Sequence, residues 1–152
     1  MAKSIQQWLD SYGESHQNPV NKTIHWICVP IITWTVIALL WSVSLNTSGW
    51  LNLGIIFIIS ALIFYLRLSV TLTIGMALFS MFCIVLIVWH QQALKSPLWS
   101  TALVLFVLAW IGQFIGHKIE GKKPSFFQDI QFLMIGPAWL LSFVYRRLGL
   151  PV

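Results

Sequence analysis

From residue 24 to residue 145 the sequence is a series of apolar runs joined by links of a few residues. The first run, IHWICVPIITWTVIALLWSVSL over 24–45, is as long as an α-helix must be to cross a hydrocarbon core about 30 Å thick. Runs at about 51–66, 70–89 and 98–115 follow, and a fifth covers about 126–145. Few folds are open to such a chain, because a bilayer interior accepts only backbone that satisfies its own hydrogen bonds. Charge points the same way. Only 9% of the residues are charged types, against about a quarter in a soluble domain. Nine Lys and Arg with four Asp and Glu cannot coat a globule of 152 residues. The expectation is an all-α, polytopic membrane bundle forming one domain over 1–152.

The basic residues orient it. With four spans and the N-terminus inside, Lys3, Lys22, Arg67, Lys118, Lys122, Lys123, Arg146 and Arg147 share one side, and Lys95 alone lies on the other. A fifth crossing would carry Arg146 and Arg147 outside. The positive-inside rule therefore favours four spans with both termini cytoplasmic, in a bacterial inner membrane or, in a eukaryote, the endoplasmic reticulum. The fifth region is then interfacial, or re-entrant with its return at Gly136-Pro137. Pro30 is expected to kink the first span. Ile5, Trp8, Leu9 and Tyr12 recur at helical spacing and predict a short amphipathic helix, either on the membrane surface or packed on the bundle. The opening residues lack the apolar core of a cleavable signal peptide. The net charge of +5 is accounted for by basic residues at span ends, and no basic–aromatic pattern points to nucleic acid. Cys28 and Cys83 lie in apolar runs without a CxxC pairing and read as small buried side chains.

The polar chemistry concentrates in two places. ESHQNPVNKTIHW, 14–26, precedes and enters the first span, and GHKIEGKK, 116–123, leaves the fourth. This topology puts His16, His25 and His117 on the cytoplasmic face and His90 on the opposite one. A single interfacial histidine is ordinarily an amphipathic anchor, and His90 is read so. Three on one face suit either that role or a metal site, since neutral imidazole ligates iron and zinc. Asn18 as cap with Pro19 in the first turn starts a helix, which places Asn21 and His25 on one face. His117 and Glu120 also share a face. Glu120 is expected to ligate, to orient a histidine, to accept a proton, or merely to pair with a lysine. Four histidines are too few for a membrane di-iron centre. HExxH, Ser-His-Asp and Gly-rich phosphate patterns are missing, and His90 and His117 are too far apart to share a haem. The site chemistry left is a mononuclear metal with open positions; a non-catalytic lipid-binding or scaffold protein is the alternative.

Three stretches together, YGESHQNPVNKTIHWICVP, IGQFIGHKIEGKKPS and IGPAWLL, carry a resemblance. The chain resembles, over its whole length, the family of short membrane proteins that includes the fungal Fe(II)-dependent 2-hydroxy fatty acid dioxygenase of phytosphingosine α-oxidation. The resemblance implies Fe(II) held by His16, His25 and His117, with O2 as co-substrate. It implies conversion of a long-chain 2-hydroxy fatty acid to the acid one carbon shorter. Such a substrate can chelate through carboxylate and hydroxyl, leaving a position for dioxygen. Glu120 and Asn21 are then expected in supporting catalytic roles. Lys118, Lys122 and Lys123 are expected to draw in the carboxylate, or to contact lipid head groups. A zinc-dependent membrane lipid hydrolase is the competing enzyme.

Overall fold

The computed structural model describes the backbone of residues 4–47, 49–121 and 126–152, and the side chains of these residues outside 126–132. Six helices occur among them: α1 Ile5–Gly13, α2 Pro19–Trp41, α3 Leu53–Leu66, α4 Val70–Ala93, α5 Leu98–Glu120 and α6 Phe126–Leu148. The sole strand-like pairing among the described residues is one bridge between Ser44 and Asn52.

Helices α2, α4 and α5 are long and apolar enough to cross a membrane. Their outer faces are apolar too. Ile74, Leu78, Met81 and Val85 of α4 and Val104, Val107, Leu108 and Ile111 of α5 are all exposed. Water does not tolerate an apolar surface of that extent on a monomer, whereas acyl chains do. The expected second span is shorter than a full crossing. Asn52 caps α3 and Arg67 closes it, leaving 14 residues, or about 21 Å of helix. At three places helices outrun the apolar runs that announced them. Helix α2 begins at its Asn18 cap and Pro19, α4 continues past His90, and α5 continues to Glu120. Helical hydrogen bonding does not stop where apolarity does.

The expected reversal at Gly136-Pro137 does not occur. Helix α6 is continuous through Pro137. A proline interrupts the ladder and crowds the carbonyls before it. Here the Tyr65 hydroxyl donates to the Met134 carbonyl in that turn. At the other end of α6 the Tyr145 hydroxyl donates to the Thr71 carbonyl at 2.7 Å. Helix α6 is thus fastened to the end of α3 and the start of α4. The N-terminal helix forms as expected, with a capping box between Ser4 and Gln7. Its buried Leu9 and Tyr12 pack on Ile135, Trp139 and Leu140 of α6. His90 is a buried tie at the remote end of the bundle, not an interfacial anchor. It is 3% exposed, with Nε2 3.0 Å from Thr101 Oγ1.

Helices α2 and α5 lie antiparallel and very close. Asn21 meets Gly116 and Cys28 meets Gly112, so the pair Gly112-x3-Gly116 forms the seam. Small residues at this spacing let two backbones approach within a membrane. A Cβ on Gly112 would stand 2.7 Å from Cys28 Sγ, and one on Gly116 would overlap Asn21 Oδ1. Gly116→Ala is therefore expected to destabilise the fold by about 1–3 kcal/mol through overpacking. Thermal unfolding in detergent reads this as a lowered melting temperature. An unchanged value would mean that Asn21 can move aside freely.

Candidate functional site

The turn between α1 and α2 brings two histidines nine residues apart onto one point. The His16 amide donates to the Gly13 carbonyl at 3.0 Å, and the Asn18 side chain accepts from the Val20 amide at 2.9 Å to start α2. His16 Nδ1 lies 2.6 Å from the Tyr12 carbonyl and His25 Nδ1 2.9 Å from the Asn21 carbonyl. A carbonyl only accepts, so this geometry assigns the ring proton to Nδ1 in both residues. Both Nε2 atoms then present lone pairs, and they stand 2.8 Å apart.

His16 and His25 are 3% and 1% exposed. Burial is the main cause that pushes His16 down to about 4; the Tyr12 carbonyl opposes the shift, and the neighbouring His117 adds to it. His16 is therefore neutral at physiological pH, and no third proton is at hand to join the facing lone pairs. His117 closes the group from the last turn of α5. Its ring centroid is 5.4 Å from that of His16 and 5.2 Å from that of His25. One ligand atom from each of the three histidines lies within 4.8 Å of the others. Nitrogens bound about 2.1 Å from one ion are about 3.0 Å apart at a right angle and about 3.4 Å apart at the tetrahedral angle. The observed 2.8 Å matches the first arrangement. The His16–His25 pair thus has the spacing of two ligands of one ion, with His117 in reach to add a third.

Glu120 holds the turn between α1 and α2. Its Oε1 accepts from the Gln17 amide at 2.8 Å and the Asn18 amide at 3.2 Å. Its Oε2 accepts from the Asn18 amide at 2.9 Å and from Asn21 Nδ2 at 3.0 Å. The carboxylate is outside the imidazole group. It clamps the end of α5, which carries His117, to the start of α2, which carries His25. Asn21, fully buried, is the other half of the clamp, and its backbone carbonyl holds His25.

Two residues went unassigned in the sequence. Tyr12 stacks on His16, with centroids 4.2 Å apart and planes 8° from parallel. Trp139 of α6 stands 5.3 Å from His16 and 5.2 Å from Tyr12. Together they form an aromatic wall over His16. The signal for Tyr12 was its place one helical turn before His16, and Trp139 lay within the IGPAWLL stretch. The lysines divide. Lys118 is exposed, and Lys122 and Lys123 lie outside the described residues. Among the described residues, Lys22 and Arg146 line a cavity of about 270 Å³ beside His16, together with Asp10, Glu14 and Trp139.

Fold and site together define a helical membrane protein with three imidazoles gathered at one end of its bundle. The sequence pattern of the family described as 2-hydroxy-palmitic acid dioxygenase Mpo1-like matches residues 2–148. The chain belongs to this Mpo1-like family. It is 27% identical over 149 residues to the 2-hydroxy-palmitic acid dioxygenase MPO1 of Saccharomyces cerevisiae, covering 95% of this chain and 82% of the yeast protein. No solved structure matches it.

Proposed function

We propose that the chain is an Fe(II)-dependent dioxygenase that uses O2 to convert long-chain 2-hydroxy fatty acids to acids one carbon shorter. The observation that carries this reading is the pair of buried, neutral imidazoles facing each other through Nε2 at 2.8 Å, with His117 completing the group. The name of the yeast relative supplies the substrate class. His16, His25 and His117 would hold the ion. When bound, the ion would supply a template on which hydroxy acid and dioxygen meet in fixed orientation.

The chain's own residues do the rest. The carbonyls of Tyr12 and Asn21 fix ring orientation and tautomer, as partners of metal-binding histidines commonly do. Tyr12 and Trp139 shield one side of His16 from water. Lys22 and Arg146 join Lys118, Lys122 and Lys123 as cations that would attract the carboxylate. An apolar groove lined by Trp26, Pro30, Met76, Phe79, Pro137, Leu140, Leu141 and Val144 offers a bed for the acyl tail. Lys22, Lys118 and Arg146 gather at the histidine end, so that end faces the cytoplasm. Helix α3 would complete a fourth crossing with its flanking residues, at the modest cost of local bilayer thinning.

The test is incubation of the purified protein with Fe(II) and a 2-hydroxy fatty acid, with and without oxygen. The acid one carbon shorter is expected only with oxygen. Equal product under anaerobic conditions would refute the reading. Stoichiometric zinc with oxygen-independent ester hydrolysis would replace it with a hydrolase.

A further inference from the structure

Gln113 is the one buried polar side chain of α5 between its N-terminal end and the histidine end. It is 6% exposed, and its Oε1 is buried without a hydrogen-bond partner. An unmet acceptor inside an apolar bundle is destabilising, so its presence calls for an explanation. Packing supplies none, because a methionine would fill the same volume. Gln113 lies four residues before His117, one turn deeper, and residues at that spacing share a helix face. Side chains on a helix lean toward its N-terminus, so the His117 ring leans over the turn that carries Gln113. Gly112 and Gly116 on either side touch α2 at Cys28 and Asn21. This fixes the inward rotation of the turn.

We infer that Gln113 recognises the 2-hydroxy acid itself, a claim that rests on the function proposed above. A carboxamide presents an acceptor and a donor side by side. An α-hydroxy carboxylate presents the complement, a hydroxyl donor beside a carboxylate acceptor. The Gln113 Oε1 accepts from the substrate hydroxyl, and Nε2 donates to the carboxylate. A plain fatty acid lacks the hydroxyl and leaves Oε1 as unmet as it is without substrate. Gln113 is thus a specificity residue. It favours acids that are already 2-hydroxylated, so a hydroxylation at C2 must precede this enzyme.

The experiment is calorimetric binding in detergent, with iron-loaded protein, of a 2-hydroxy fatty acid and of the unhydroxylated acid of equal length. Wild type is compared with Gln113→Met. The variant is expected to bind the hydroxy acid about tenfold more weakly and the plain acid only about threefold more weakly, because that acid loses the Nε2–carboxylate bond alone. Its melting temperature should hold or rise, since a buried unmet amide has been removed. Equal loss for both acids, or no loss for either, overturns the inference. Should Gln113→Met fail to fold, Gln113→Ala gives the same ratio under the same criteria. Turnover by wild type is scored separately. A protein that binds as predicted but never shortens its ligand refutes the dioxygenase reading and leaves the Gln113 ratio to be judged by itself.

Discussion

His16→Ala is expected to leave the protein folded, nearly free of iron, and at least 100-fold less active. The magnitude follows from what the ring contributes. It supplies one of the two Nε2 lone pairs that face each other at 2.8 Å, and without it His25 and His117 alone remain of the group. Even partners that only orient a metal's ligands cost about 10–100-fold in affinity or activity when removed, and a ligand costs more. The His16 ring is also half of a stacked pair with Tyr12, so some local stability goes with it. The α1–α6 contact through Leu9, Ile135 and Leu140 does not involve the His16 ring and should hold the helix in place. Elemental analysis of the purified variant, with circular dichroism for helix content, reads both parts of the expectation. His90→Ala is the control, since His90 lies at the far end of the bundle against Thr101. Wild-type iron in His16→Ala would remove His16 from the proposed centre.

Glu120→Ala and Glu120→Gln should behave differently, and the difference tells a clamp from a proton acceptor. Alanine strips the acceptor from two backbone amides and from Asn21 Nδ2. With charge-assisted bonds lost at a partly exposed position, the cost is about 1–3 kcal/mol, seen as a lower melting temperature. Because the clamp joins the helices carrying His25 and His117, iron affinity and activity should fall with stability. Glutamine keeps an acceptor for the Gln17 and Asn18 amides. Its new amino group would face Asn21, whose Oδ1 is buried and unpartnered. Turning the Asn21 amide over lets its Oδ1 accept from that amino group, at the cost of the weak Asn21 Nδ2 bond to the Ser15 carbonyl. Glu120→Gln should thus retain activity within about tenfold, whereas loss of a general base costs about 100-fold or more. Complete inactivity of Glu120→Gln with wild-type stability and iron content would return Glu120 to a chemical role.

The contrast between Glu120 and the histidines also shows what the amino-acid order makes legible. Topology alone drew His16, His25 and His117 to one end, because apolar runs of span length leave little choice about which ends meet. The Asn18-Pro19 helix start was readable for a local reason: cap and proline act on their own backbone. The hydrogen bonds of Glu120 to the turn before α2 were not legible. Its partners are amides about a hundred positions away, and no spacing along one helix announces them. Trp139 was hidden for a similar reason, since α6 was read as a break at Gly136-Pro137 and proved an unbroken helix. The second apolar run, about 51–66, agrees with α3 at Leu53–Leu66 within two residues, because Asn52 and Arg67 mark the helix ends locally.

The distance in sequence between the partners in the Glu120 clamp bears on the order of events during synthesis. His16 and His25 are among the first parts of the chain made, yet the α5 residues that lock them in place are made after three hydrophobic helices have already left the ribosome. Until then the two early imidazoles have neither their third companion nor the carboxylate that holds their turn. A redox-active ion therefore has no finished seat on an incomplete chain. Under the proposed function, capture of the ion would wait until α5 is made.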